Sequence, residues 1–344
     1  MKELLQKLPG ALLPWYGKNK RDLPWRVDRE PYHVWLSEIM LQQTRVEAVK
    51  GYYARFLTAL PDIAALANAD EELLNKLWEG LGYYSRVRNL KKAAAVIQEK
   101  HGGAFPMEYD AIRALPGIGD YTAGAISSIC FNQPRPAVDG NVLRVISRIT
   151  ADDTPIDLPI QKKKIAGALA EVYPAQAGDF TQALMELGAT VCLPNGKPAC
   201  ESCPCAEFCK ARQMGIELRL PVKLPKKGRR EEDKTVFILS CDDRVAIVKR
   251  AEQGLLAGLW QFPEAPGILQ LDAALTAVQN MGLTVREVYR QADKKHIFTH
   301  IQWNMRGYYL EVSDLNETFT WMTREEIETQ TALPTAFRQF WDAT

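Results

Sequence analysis

The chain has no apolar run long enough to span a membrane, no internal repeat, no low-complexity tract and almost no net charge. The first absence excludes a transmembrane helix, and the next two exclude solenoid arrays and disordered tails. Lys and Arg number 43 against 42 Asp and Glu, a formal net charge of +1. Overall charge therefore cannot hold this protein on nucleic acid. Any phosphate grip must come from local clusters and backbone amides. Residues 1–225 carry 28 basic against 25 acidic side chains, and the remainder 15 against 17, so only the front portion leans basic. Met1–Gly10 is too short and too charged for a secretory signal.

What is present is an ordinary globular composition over 344 residues, 47% apolar and 25% charged, enough for two or three domains. Seven cysteines, four of them packed near residue 200, read as metal chemistry in a reducing compartment rather than a disulfide framework. A cytoplasmic protein is expected, nucleoid-associated if the source is bacterial.

From about Leu12 to Met214 the apolar pattern is helical. It predicts short amphipathic helices over Val34–Arg45, Glu71–Leu77, Tyr84–Lys100, Thr122–Ile129, Val142–Ile149, Lys163–Val172 and Phe180–Leu187. No alternating strand interrupts them, so residues 1–218 read as an all-α unit. Residues 219–234 have linker composition, with Pro221, Pro225 and Gly228 set among Lys223, Lys226, Lys227, Arg229 and Arg230. Residues 235–344 change texture. Thr235–Cys241, Arg244–Arg250, His296–Met305 and Arg306–Val312 read as strands, with a helix near Leu271–Met281, so a separate α+β domain is expected.

Two local patterns carry chemistry. In Leu115-Pro-Gly-Ile-Gly-Asp-Tyr-Thr, Gly117 and Gly119 allow a tight turn and close approach of a ligand. The amides opening the next helix can then receive a phosphate. Further on, Cys192, Cys200, Cys203 and Cys209 stand as C-x7-C-x2-C-x5-C in the 192–209 loop. Such a set points to a metal centre, zinc or iron–sulfur, with Cys205 as a possible substitute ligand. The simpler reading leaves Cys205, Cys130 and Cys241 unligated.

A Gly-Ile-Gly hairpin, an aspartate at Val138-Asp-Gly-Asn141 and a four-cysteine loop after a helix together resemble the helix-hairpin-helix DNA glycosylases of the endonuclease III superfamily. The resemblance covers nearly the whole chain and implies a 4Fe–4S cluster on the four cysteines. The first gap is one residue longer than is usual in that family, within Leu193–Ala199. Where endonuclease III carries a lysine that attacks the sugar, this sequence has Tyr121, which has no amine. Leu36-Ser-Glu-Ile-Met-Leu-Gln-Gln-Thr44 looks like the motif of the MutY-type adenine branch.

Adenine leaves deoxyribose readily only when its ring is protonated. A carboxylic acid whose pKa is raised by burial can supply that proton. Glu38, flanked by Leu36, Ile39 and Met40, suits the task. A second carboxylate must offset the oxocarbenium charge, as in glycoside hydrolysis. The resemblance assigns this to Asp139, which would otherwise simply cap the helix near Val142. It also implies that Asn141 and Tyr121 orient or shield Asp139. Gln43 and Tyr83 would wedge into the duplex, and Arg26, Leu41 and Gln182, beside Thr44 of the motif, would line the base pocket. Trp25 reads as core. Gly80–Arg88 sets aromatic residues beside two arginines, a platform for stacking and phosphate contact.

In the C-terminal domain, Gly254–Pro263 (GLLAGLWQFP) resembles a Nudix strand-loop, but Ala277–Gly282 lacks the carboxylates that would bind magnesium. The domain should bind rather than cut. Phe298-Thr299-His300 resembles the Phe-Ser-His segment with which the family recognises 8-oxoguanine. The expectation is a monomeric, monofunctional glycosylase for adenine opposite 8-oxoguanine or G in double-stranded DNA. Three rivals stand beside it: an endonuclease III-like lyase for oxidised pyrimidines, a non-catalytic DNA-binding iron–sulfur protein and, more remotely, a nucleotide pyrophosphatase.

Overall fold

The computed structural model describes residues 1–225 and 228–342; Lys226 and Lys227 of the expected linker lie outside the described residues. Two compact units emerge. One comprises residues 1–68 and 89–225, the other residues 69–88 with the C-terminal region. The first is helical throughout. Pro31–Met40, Asp120–Phe131, Gly140–Thr150 and Ala177–Thr190 are its central helices. Leu8, Leu12 and Tyr16 pack with Val142, Ile146, Phe180, Leu184 and Leu187 into one core. Among the described residues no helix is long and apolar enough to cross a membrane.

The helices follow the expected pattern, with one instructive exception. The helix expected over Val34–Arg45 ends at Met40, and a new one begins at Val46. Gln43 breaks it by taking a left-handed conformation, φ 61°, which a non-glycine residue seldom adopts. Residues 41–45 thus form a turn rather than helix, and this turn faces the site described below.

The second unit is built on a mixed sheet in the order β3-β2-β1-β6-β5, with β4 paired to β1 and β7 to β2. Its strands are β1 Arg230–Cys241, β2 Arg244–Lys249, β3 Trp260–Gln261, β4 Glu264–Pro266, β5 Val285–Ile297, β6 Ile301–Val312 and β7 Thr320–Thr323. β1 and β6 run parallel, with Arg230 opposite Ile301 and Ser240 opposite Glu311. Two expectations need correction. β1 starts at Arg230, inside the segment read as linker. The strand read over His296–Met305 is instead the end of β5, a tight turn and the start of β6, closed by the Phe298 amide donating to the Ile301 carbonyl at 2.8 Å. Phe298-Thr299-His300 is therefore a hairpin tip. β5 was missed because its exposed charged residues hide any apolar alternation.

Residues 69–88 belong with this sheet for reasons of charge. Glu79 accepts from Arg338 at 2.8 Å and from the Leu333 amide at 3.0 Å. Glu72 takes Lys249 at 2.6 Å and the Trp260 indole at 3.0 Å.

Candidate active site

A cavity of about 820 Å³ opens in the helical unit. Two helices each present a stripe to it at i, i+3, i+4 and i+7 spacing, the set that shares one helical face. Val34, Ser37, Glu38 and Leu41 form one stripe, and Gln182, Met185, Glu186 and Ala189 the other. Arg26, Gln43, Thr44, Gly117, Gly119, Tyr121, Asp139 and Asn141 complete the expected set around the same space.

Glu38 lies on the buried face of its helix, only 7% exposed. Burial pushes its carboxyl up to about 7; the Asp139 charge adds to this, while a hydrogen bond from Tyr121 and the Arg26 charge oppose it. The Tyr121 hydroxyl donates to Glu38 Oε2 at 2.5 Å, so its hydrogen bond goes to Glu38 and not to Asp139, the residue it was expected to orient or shield. Tyr121 occupies the second position of the helix that the hairpin opens, where an attacking amine would stand in a lyase.

Asp139 uses its two carboxylate oxygens differently. Its Oδ1 accepts from the Val142 amide at 2.8 Å and caps the Gly140–Thr150 helix. Its Oδ2 faces Asn141, whose Nδ2 donates at 2.7 Å. Burial raises the Asp139 carboxyl above its usual value, and these donors oppose the rise by favouring the ionised form. Asn141 is itself held by Arg144 at 2.8 Å, and Arg144 Nε donates to the Cys192 carbonyl at 2.7 Å. A continuous polar chain thus joins Asp139 to the cysteine loop. Gly188 makes room for it, because a Cβ there would stand 2.5 Å from that of Asn141.

At the hairpin, Gly117 has φ 77° and would drive a Cβ to 2.6 Å from Asn89, so only glycine fits. Gly119 is different. Its backbone is extended and nothing lies within 4 Å of its missing Cβ. It leaves the start of the next helix open, with no side chain capping the free amides.

Arginine and glutamate pairing was not anticipated. Glu186, fully buried, accepts from Arg21 Nε at 2.7 Å, Arg21 Nη2 at 3.0 Å and Arg26 Nη2 at 2.7 Å. Burial alone would raise its pKa, but these bonds outweigh it and the net shift is downward. Its spacing of four from Gln182 was the available signal. Trp25, read as core, is 7% exposed and packs edge-on against Tyr53, yet one side lines the cavity.

Cys192, Cys200, Cys203 and Cys209 line one small cavity with Val145, Ile149 and Leu187. Arg148 donates to the Cys192 sulfur at 3.3 Å. Cys205 is wholly buried and does not line this cavity. Among the described residues no group of three or more His, Cys, Asp or Glu side chains is disposed to hold a single metal ion. The four thiols nevertheless share one space, with Arg148 beside the Cys192 sulfur to offset negative charge there.

The remaining expected residues lie in the second unit. Tyr83, Phe298, Thr299 and His300 border a cavity of about 510 Å³ with Gly80 and Gly82. The Tyr83 and Thr299 hydroxyls are hydrogen-bonded to each other. Tyr83 is 46% exposed and, like Gln43, has a left-handed backbone, φ 49°. Such outliers persist where the surroundings enforce them and are often functional. The helix Leu271–Asn280, where a Nudix hydrolase would gather carboxylates, carries Asp272 as its one acidic residue.

This geometry accords with the relatives of the chain. Residues 36–174 match the HhH-GPD superfamily of base excision DNA repair proteins and residues 235–343 a NUDIX domain. The adenine DNA glycosylase of Homo sapiens is 35% identical, over 96% of this chain and 73% of its own. The chain belongs to the adenine DNA glycosylase family. The enzyme of that name from Buchnera aphidicola (strain APS) is 31% identical over 90% of this chain and 87% of its own. Among solved structures, a thermostable thymine-DNA glycosylase superposes with a TM-score of 0.56 at 28% identity, covering 62% of this chain and 98% of that one. An endonuclease III trapped on DNA has the same fold, with a TM-score of 0.53 at 22% identity, covering 63% and 99%. Family membership makes the chain a base excision repair glycosylase with a helix-hairpin-helix core and a Nudix-like C-terminal domain.

Proposed function

We propose that this protein hydrolyses the N-glycosidic bond of adenine mispaired with 8-oxoguanine or G in double-stranded DNA, with Glu38 as general acid and Asp139 as the group that stabilises the sugar cation. One observation carries the reading: a buried carboxyl titrating near 7 shares a cavity with a second carboxyl held by donors that favour its charge. Flipping the adenosine out of the stack costs a few kcal/mol, and residues on strained turns, Gln43 and Tyr83, suit the task of filling the gap. Gly117, Gly119 and the helix start behind them would take a phosphate. Leu41, Thr44, Arg26 and Gln182 would surround the base.

Glu38 then passes its proton to N7 of the extruded adenine. The bond between C1′ and N9 breaks with its electron pair going to the base, which leaves as neutral adenine. The Asp139 carboxylate offsets the positive charge spread over C1′ and the ring oxygen. Water adds to C1′ and loses a proton, and Glu38 recovers one from solvent, so the net reaction consumes one water and gives an abasic site. Tyr121 holds the acid and Asn141 holds Asp139. Neither offers an amine, so no strand cleavage follows from them.

Cys192, Cys200, Cys203 and Cys209 would hold a 4Fe–4S cluster, which would supply a cross-link that fixes the 192–209 loop. Recognition of the opposing 8-oxoguanine falls to the hairpin tip Phe298-Thr299-His300 and to Tyr83. Thr299, standing where the family segment has serine, adds a methyl group and keeps the hydroxyl, which is engaged with Tyr83.

The test incubates the protein, as a monomer in solution, with duplexes bearing A opposite 8-oxoguanine, A opposite G, and thymine glycol. Strand breaks at adenine that appear only after alkali are expected. Alkali-independent breaks at thymine glycol, with a borohydride-trapped adduct, would replace this reading by a lyase.

A further inference from the structure

Behind the catalytic cavity lies a second one of about 140 Å³. The two share one wall, made by Trp25, Arg26, Ile129 and Gln182. The volume far exceeds the roughly 10–15 Å³ that admits one water, and it is room enough for a planar heterocycle. Its far side is polar and of mixed sign, with Lys20 and Arg29 against Asp28 and Asp179. Arg29 and Asp179 are paired at 3.0 Å and both about half exposed, and Val27 at the rim is 79% exposed. The small cavity therefore reaches solvent by its own opening.

The shared wall is not equally firm. Arg26 is pinned by Glu186 at 2.7 Å and by the Arg21 carbonyl at 3.1 Å. Trp25 packs on Tyr53 at 5.5 Å, and Ile129 is buried on its helix. Gln182, in contrast, makes one long side-chain bond among the described residues, 3.5 Å to the Gly178 carbonyl of its own helix. It is the member free to swing.

These observations bear on a problem that adenine excision creates. Once the bond to the sugar breaks, the base sits behind the strand from which it came. It must wait for the DNA to leave or find another way out. We propose that the small cavity is an exit site for the free purine base, reached past Gln182 and open while the abasic strand still fills the wide mouth. The carboxylates of Asp28 and Asp179 accept from the exocyclic amine, and Lys20 and Arg29 donate to ring nitrogens. This inference rests on the adenine-excising reading above.

The test uses excess full-length protein and an A:8-oxoguanine duplex with radiolabelled adenine. At each time one sample is quenched to count all cleaved base, and another is filtered through a membrane that retains protein and DNA. In the wild type the two curves should coincide while the duplex stays in the retained fraction. Val27→Trp and Val27→Phe, which crowd the rim away from the reacting groups, should leave the quenched curve unchanged and delay base in the filtrate at least tenfold, to the pace of duplex release. Filtrate curves in both variants that follow the quenched curve as in the wild type would overturn the proposal, as would a wild type that retains its base until the DNA leaves. Should the variants not fold, ligand-observed NMR of free adenine with wild-type protein saturated by a tetrahydrofuran-containing duplex decides: line broadening supports the site, and its absence overturns it. A wild-type sample with no cleaved base even after quenching would instead sink the excision reading itself.

Discussion

Removing one hydroxyl from Tyr121 tests the heart of the mechanism. In Tyr121→Phe, Glu38 loses the donor that reaches Oε2 at 2.5 Å. A hydrogen bond to a charged acceptor contributes about 1.5–3 kcal/mol, and one to a neutral acid about 0.5–1.5 kcal/mol. The difference, of order 1–1.5 kcal/mol, is what the hydroxyl gives the ionised form, and at about 1.4 kcal/mol per pKa unit it corresponds to about one unit. The Glu38 carboxyl, now pushed up to about 7, should therefore rise to about 8 in the variant. Because the acid form does the work, activity is present below that value and falls as pH rises through it. Single-turnover base release, measured from about pH 5 to about pH 9, should show its alkaline limb moving up by about one unit. The acid plateau should fall as well, since the proton loses its fixed direction. An alkaline limb that stays in place or moves down would refute the role given to Tyr121 and to its bond with Glu38.

Five further outcomes are expected. Glu38→Gln should keep duplex affinity and lose base release; near-normal turnover would remove Glu38 from the mechanism. The same variant should also be more stable. The native acid titrates near 7 and the unfolded one near 4.5, so its burial costs nothing below about pH 4.5, increasingly more up to about 7, and a constant 3 kcal/mol or so above; a thermal-melt advantage that does not grow over that window contradicts the burial. Asp139→Asn retains an oxygen to cap the helix, so folding by circular dichroism should persist while base release falls about 10²–10³-fold; a smaller loss would leave Asp139 as a cap alone. Cys200→Ala should lose iron content and visible absorbance while Cys205→Ala keeps both, and the reverse would exchange their roles. Thr299→Ala should reduce the preference for 8-oxoguanine over G about three- to tenfold, the scale of one neutral hydrogen bond; unchanged preference would move recognition elsewhere.

Much of the site was legible because its residues sit on short motifs whose chemistry is local. Gly117 is dictated by its own backbone, Asp139 by the helix it caps, and the four cysteines by their spacing. The Glu38 pKa was legible in direction from its apolar neighbours. What escaped reading came from long-range pairing. Glu186 looked like any helix glutamate until Arg21 and Arg26, some 160 residues earlier in the chain, enclosed it. Residues 69–88 carried no mark of belonging with the sheet, since Glu72 and Glu79 meet their partners only in the folded unit. The exposed edge strand β5 gave no alternation to find, and so the hairpin tip was read as the middle of a strand.

In the proposed reaction the two carboxyls of one cavity have opposite tasks, and their surroundings differ accordingly. Burial pushes each of them up. Glu38 has one donor, on a tyrosine that is itself buried and reluctant to ionise. Asp139 has the Val142 amide at a helix start, where the backbone dipole also favours negative charge, and the Asn141 amide fixed by Arg144. Burial raises both, but more donors oppose the rise at Asp139 than at Glu38, as a counter-charge beside an acid requires. The second of them is anchored through Arg144 to the Cys192 carbonyl. Asp139, the proposed counter-charge, is thus tied to the cysteine loop, whereas the Tyr121 bond that holds Glu38, the proposed acid, does not run through that loop. Loosening that loop should depress base release through Asp139.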